Sequence, residues 1–108
     1  MALLRPLLAA LALPLLAQSA TGSLLGRVVE ASSGNPRSGF LVRVTQEQLG
    51  IERVAVTDAG GGFRVLLLPP ETYTVQVVQP GHFSLPRQVT IGTDQPVRLV
   101  LWVRERAS

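Results

Sequence analysis

Cysteine and lysine are both missing from this chain of 108 residues, and histidine and tryptophan occur once each. Without cysteine there can be no disulfide, no thiolate-ligated zinc and no lipid-modified N-terminal cysteine. With His82 as the only histidine, a Ser-His-Asp triad has a single base to draw on, and a zinc site built from His and Cys is unavailable. His82 sits in a Pro-Gly-His-Phe corner and reads as an exposed turn residue. The missing lysine bears on Gly60-Gly61-Gly62. A phosphate-cradling loop needs a following helix and usually a lysine, so this run reads as a hairpin turn. Acidic residues number only seven and fall mostly in turns. Asp58 with Glu52 is the nearest approach to a Ca²⁺ site, well short of the six to eight oxygens that ion wants. No catalytic residue, metal or cofactor is expected, and the chain reads as a non-enzyme.

The ten basic residues are all arginine. They are scattered singly through strands and turns, without the clustering that tracks a phosphate backbone, so no nucleic-acid partner is expected. The first twenty residues differ in kind from the rest. Met1–Arg5 carries one positive charge, Pro6–Ala17 is an uncharged run of Leu, Ala and Pro, and small residues follow at Ala17-Gln18-Ser19-Ala20. That three-part pattern describes a secretory signal peptide over 1–20. The apolar run is too short and too broken by Pro14 for the ~20 residues a bilayer span needs, and no stable membrane insertion is expected after cleavage at Ser19 or Ala20. Losing Arg5 would lower the formal charge from +3 to about +2. The remaining ~88 residues suit one domain, secreted or periplasmic, held together by apolar strands alone.

The segment Thr57–Val77 carries most of the information on fold. It reads as a strand end, a Gly-rich turn, an apolar strand, a rigid Pro69-Pro70 corner and an alternating strand. Phe40–Gln46 puts Phe40, Val42 and Val44 on one face against Arg43 and Thr45, and Tyr73–Val78 alternates likewise; period two argues half-buried strands. Leu24–Glu30, Ile51–Thr57, Phe63–Leu68, Gln88–Ile91 and Val97–Val103 complete about seven strands, with turn signals every 8–12 residues or so. Phe63–Leu68, apolar on both faces, is expected at the centre of its sheet. No window has helical periodicity. These signals point to an all-β sandwich or barrel over 21–103, with a polar tail over 104–108.

Four motifs in order carry a family resemblance: Leu24-x-Gly26-x-Val28-x-Glu30, Thr57-Asp58-x-x-Gly61-x-Phe63, Leu68-Pro69-Pro70-x-x-Tyr73-x-Val75-x-Val77, and Pro80-Gly81-x-Phe83. Together they resemble the carboxypeptidase regulatory-like domain, a transthyretin-like fold grouped with carbohydrate-binding-like folds and appended in larger relatives to peptidases and TonB-dependent outer-membrane receptors. The resemblance implies an all-β, antiparallel, prealbumin-like or Ig-like Greek-key sandwich of about seven strands. The motif residues have structural tasks. Asp58 can accept bonds from turn amides, glycine permits positive φ, and Phe63, Tyr73 and Phe83 are expected to plug the core, each burying about 150–250 Å². One departure stands out: Glu71 follows Pro-Pro where the family usually has glycine, and a type II turn there would force positive φ on it.

The resemblance implies a protein-interaction or accessory module of the bacterial cell envelope, with an unidentified protein partner. A carbohydrate-binding protein, taking a polysaccharide, is the alternative, and the N-terminal part of a TonB-dependent receptor is a second one. Sugars are held by exposed aromatic rings. Phe40, Phe63, Tyr73 and Phe83 are assigned to the core, which leaves Trp102, on the face of the last strand shared with Arg98, Val100 and Arg104, as the candidate ligand contact. The expectation for Trp102 itself is a structural ring lying across strand neighbours.

Overall fold

The computed structural model describes residues 20–106. The expected leader over 1–20 falls outside that range apart from its last residue, as do the final two residues of the expected tail. Eight strands follow one another: β1 (Gly22–Glu30), β2 (Leu41–Gln46), β3 (Ile51–Val56), β4 (Gly62–Leu68), β5 (Thr72–Val77), β6 (His82–Phe83), β7 (Arg87–Thr90) and β8 (Val97–Glu105). A single 3₁₀ turn, Glu47–Leu49, joins β2 to β3 and ends on Gly50 in the left-handed region. No helix among the described residues is long and apolar enough to cross a membrane.

The strands form two four-stranded sheets, β4-β1-β8-β6 and β3-β2-β5-β7. Every pair is antiparallel except β1 with β8, which run parallel from Leu24 opposite Val97 to Glu30 opposite Val103. The expectation of a wholly antiparallel sandwich is corrected there. The strand absent from the expected seven is β6, whose two residues are too few to show any periodicity.

Alternation places the core. Leu24 and Val28 of β1, Val42 and Val44 of β2, Tyr73, Val75 and Val77 of β5, and Leu99, Leu101 and Val103 of β8 all face the space between the sheets and are buried. Phe40 and Phe63 join the same buried cluster. With no disulfide, this burial is the main stabilising term, at about 25 cal/mol per Å² of apolar surface removed from water.

The central placement expected for Phe63–Leu68 is wrong: β4 is an edge strand. Its outward Leu66 and Leu67 are exposed, and Leu67 has φ 58°, the only positive φ outside glycine among the described residues. The pairing of β4 with β1 shifts there, from Val65 opposite Leu24 to Leu68 opposite Gly22. Three steps on β4 oppose two on β1, which is a β-bulge. It resets the phase so that Leu68 returns to the core after Phe63 and Val65. The apolar character of both faces thus comes from a bulge and not from cover on both sides. Glu71, in contrast, keeps a negative φ, so the Pro-Pro corner carries no left-handed residue and the departure from glycine costs no backbone strain.

Two further corrections concern the region around β6. Phe83 is 41% exposed instead of plugging the core. It pairs directly with Arg104 of β8, and directly opposed residues share a face; Arg104 lies on the outward face of β8, so Phe83 follows it outward. His82 pairs with Glu105 and turns the other way. Its ring packs edge-on against Phe40 at 4.6 Å between centroids, and it is only partly exposed. Both pairings also carry β8 through Arg104 and Glu105, beyond the expected strand end at Val103.

Candidate functional site

The family motifs build scaffold: Thr57–Phe63 turns the chain between β3 and β4 at one end of the sandwich, and Leu68–Tyr73 turns it between β4 and β5 at the other. Asp58 Oδ1 accepts from the amides of Gly60 (3.0 Å) and Gly62 (2.8 Å), and the Asp58 carbonyl accepts from Gly61 N at 2.9 Å. Gly61 has φ 79°, and a β-carbon there would come within 2.7 Å of the Val28 carbonyl oxygen, which itself accepts from Arg37 N. The preceding Thr57 is buried and donates its hydroxyl to the Arg37 carbonyl while accepting from Phe40 N. Across the sheet, Gly26 sits directly opposite Phe63, and the Phe63 ring fills the space where a side chain at 26 would go. Glycine and phenylalanine are one interlocked unit. Tyr73 is fully buried and donates its hydroxyl to the Pro69 carbonyl at 2.6 Å, which fixes the Pro69-Pro70 corner to the strand that follows it. Burial raises the Tyr73 pKa above 10.0, opposed by the nearby Arg53 and assisted by Glu71. Gly81 takes φ 80° in the turn closed by His82 N to the Gln79 carbonyl.

None of these groups is left over for chemistry. Asp58 Oδ1 is occupied by amides, and Glu52 points at Arg43, 3.9 Å away, so the pair does not converge on a cation. Among the described residues no three His, Asp or Glu side chains cluster in a way that could hold a metal. Two polar atoms are buried without a hydrogen-bond partner, Glu30 Oε2 and His82 Nε2. Glu30 lies 3.6 Å from the Arg37 guanidinium, which also stands over the Phe40 ring. Glu30 also lines a shallow hollow with Ser32, Arg104 and Glu105, while His82 packs against Phe40.

Unsatisfied surface gathers instead on the outer face of β8. Trp102 is 53% exposed and Leu85 69%, and with Phe83, Arg87 and Arg104 they line a groove of about 440 Å³. Exposed Val100 and Arg98 continue the same face of the strand. The expectation that Trp102 would be a covering ring is met in part only. Val29, its register partner on β1, is buried outside the intersheet core, so Trp102 lies beside the residue it helps to shelter while half of its own surface stays open. Arg106 stands over the Phe83 ring at 5.8 Å and donates to the His82 carbonyl. Arg87, Arg98 and Arg104 form no ion pair among the described residues. The site residues expected from sequence, Trp102, Arg98 and Arg104, therefore share one face, although Arg98 lies outside the groove itself. Sequence reasoning missed Phe83, Leu85 and Arg87, because their approach to Trp102 depends on the two-residue strand β6. A second hollow of about 560 Å³ lies on the outer face of the other sheet, between Arg43, Thr45, Thr74, Gln76 and Gln88, and no aromatic ring lines it.

The motifs and their geometry agree with the comparison to known families, in which the carboxypeptidase regulatory-like domain matches residues 23–103. The chain belongs to this family. Among curated proteins it is 40% identical over 60 residues to the TonB-dependent transporter Oar of Myxococcus xanthus; the match takes in 56% of this chain and 6% of the transporter. Among solved structures it is similar to the TIE protein of Bacillus anthracis (TM-score 0.67, 18% identity, 80% of this chain and 17% of that one). It is also similar to BcpA, the major pilin subunit of Bacillus cereus (TM-score 0.66, 16% identity, 81% and 31%), and to a streptococcal ancillary pilin (TM-score 0.62, 24% identity, 82% and 30%). At these identities the structural likeness speaks for the sandwich fold alone. The chain spans only a small part of the length of each of these relatives.

Proposed function

We propose that this carboxypeptidase regulatory-like domain is an exported, non-catalytic interaction module of the bacterial cell envelope, and that the groove on β8 is its contact surface. The observation that carries the reading is the grouping of Trp102, Phe83 and Leu85, all exposed, with three arginines that no acid neutralises. Aromatic residues and arginine are the types enriched where proteins meet, and their clusters supply most of the binding energy there. The envelope placement rests on the leader pattern of Met1–Ala20 and on the identity with an outer-membrane-type transporter. The 6% share of that transporter also fits a receptor's appended domain; the coding sequence immediately downstream decides between that and an independent accessory protein.

The test is capture of an envelope protein by chemical cross-linking in the source cells, compared between the native chain and Trp102→Ala or Phe83→Ala. A discrete partner lost in both variants supports the reading; capture indifferent to both removes it. Carbohydrate binding is the second reading, favoured by the open Trp102 and Phe83 rings. Trp102 is the only tryptophan, so its fluorescence during titration with soluble oligosaccharides reports directly. A saturable shift at millimolar sugar or below would move the assignment to a glycan.

A further inference from the structure

Among the described residues, the last strand has a flank with no strand partner from Val97 to Val103. On one side β8 pairs with β1 from Val97 to Val103, and on the other it pairs with β6 only at Arg104 and Glu105. Strand residues direct both backbone groups to alternate sides. Val103 turns its carbonyl to β1, accepting from Ala31 N at 2.8 Å, while Arg106 N donates to Gly81 on the β6 side at 2.9 Å. By that alternation Arg98, Val100 and Trp102 present their N–H and C=O groups to the open side. The chain would cover them if β6 continued, but after Phe83 it crosses to the other sheet through Ser84, Leu85 and Pro86 and begins β7. Ser84 is held on that course by its hydroxyl, which accepts from Val77 N. The groove of Trp102, Phe83 and Leu85 lies where β6 stops.

We infer, resting on the interaction reading above, that this flank takes an extended acidic segment of a partner protein as an added strand. Such strand addition gains affinity from main-chain bonds and specificity from alternate side chains. Five residues, Arg98 to Trp102, offer a length of about 16 Å at ~3.3 Å per residue. Because directly opposed residues share a face, every second side chain of the incoming segment meets Arg98, Val100 and Trp102 in turn. The fitting pattern is an acid opposite Arg98, apolar residues opposite Val100 and Trp102, and a second acid reaching Arg87 and Arg104. Charge selects the occupant. A second copy of the chain would bring two arginine-rich faces together with no acid between them, whereas an acidic segment is complementary to those charges. Charged residues on an edge are also the usual guard against self-pairing. The other open edges fit this role less well: β3 carries Glu52 and Arg53 of opposite sign, β4 is distorted by its bulge at Leu67, and β7 has only four residues.

The experiment uses the full chain and a capped nine-residue peptide whose alternate positions are Glu, Val, Val and Glu, separated and flanked by Thr, beside the same peptide with Lys for Glu. The expected result is a saturable change in Trp102 fluorescence with the Glu peptide. Binding should be at least about tenfold weaker for the Lys peptide, and slowed amide exchange should be confined to Arg98, Val100 and Trp102. Val100→Pro removes one outward N–H and should abolish binding. Arg98→Glu, a surface change that leaves the backbone intact, should sharply reduce the preference for the Glu peptide over the Lys peptide. Equal binding of the two peptides, absence of binding, protection on another strand, or self-association through β8 would each overturn strand addition. If the peptides fail while cross-linking to an envelope partner still depends on Trp102, the interaction reading stands and strand addition alone falls. If both fail, the groove is not a contact surface.

Discussion

Phe63 and Phe83 stand in motifs of similar form, glycine two residues before the ring, yet they end in opposite environments. Phe63 is 6% exposed and occupies the space above Gly26, whereas Phe83 is 41% exposed beside Trp102. On the β4 edge of the sheet, around Phe63, Gly61 bonds both Asp58 and Val28 while Thr57 bonds Phe40, each at 2.8–2.9 Å. On the β6 edge, around Phe83, a flank of β8 is unpaired and three arginines form no ion pair among the described residues. The β4 edge is closed by its own backbone bonds, whereas the β6 edge leaves its interactions to be completed from outside.

The largest effect that would break this comparison is at the two phenylalanines. Phe63→Ala should cost about 3–5 kcal/mol, the range for removing a buried ring and leaving a cavity. In a domain of about 5–10 kcal/mol total stability that nearly unfolds the protein. Phe83→Ala should cost less than about 1 kcal/mol, the range of exposed sites. Denaturant midpoints measured on both variants check the pair, and equal losses would remove the distinction between the two edges.

A second, smaller effect separates turn from groove. Asp58→Ala frees two amides that now donate to one carboxylate oxygen, and a loss of about 1–2 kcal/mol is expected, as for other side-chain caps of backbone amides. Asp58→Asn keeps an acceptor oxygen and should recover most of that loss. Neither change should alter peptide or partner binding at β8. A stability change below about 0.3 kcal/mol in Asp58→Ala would show that the turn is held by the glycines alone.

Tyr73 gives a pH test of the scaffold. Its phenol is neutral and donates to the Pro69 carbonyl, and burial raises its folded pKa above the 10.0 of the exposed side chain. Below pH ~10 both folded and unfolded chains keep the proton, so this group contributes no pH dependence. As pH rises through 10 the unfolded chain loses its proton first, the unfolded state then binds fewer protons, and stability falls until the folded pKa is passed. Tyr73→Phe should remove that alkaline decline and cost about 1 kcal/mol at neutral pH for the lost hydrogen bond. Urea midpoints of both proteins from pH 7 to 11 check it; an identical alkaline slope in the two would mean that another group carries the effect.

Much of the scaffold is legible in the chain, and the reason is local. Phe40, Val42 and Val44 alternate with Arg43 and Thr45, as do Tyr73, Val75 and Val77 with Thr74 and Gln76, and a period of two fixes which face goes inward. What was hidden depends on backbone events or on distant pairing. The bulge at Leu67 turns an edge strand into an apolar run that looks central. The parallel partnership of β1 with β8 joins opposite ends of the domain and leaves no trace in either strand. For Phe83 the face is set by Arg104, 21 positions later, within a strand too short to alternate. The groove inherits that opacity: Trp102 and its arginines can be read from β8, but Leu85 and Arg87 reach them only through the crossing that follows β6.

The smallest expected effect sharpens the comparison at Trp102 itself. A ring more than half exposed contributes only its sheltered half to burial, and the residue beside it, Val29, is covered also by its bridge to Pro36. Trp102→Ala should therefore lower stability by only about 0.5–1 kcal/mol, far below the 3–5 kcal/mol range for a core aromatic. The emission maximum of the native chain, whose only tryptophan this is, should lie to the red of a buried indole, and acrylamide should quench it readily. Binding of the acidic peptide should then shift it to the blue, as the open half is covered. A blue, poorly quenched emission together with a loss of several kcal/mol would make Trp102 a plug like Phe63, and the contrast between the β4 and β6 sides of the sheet would disappear.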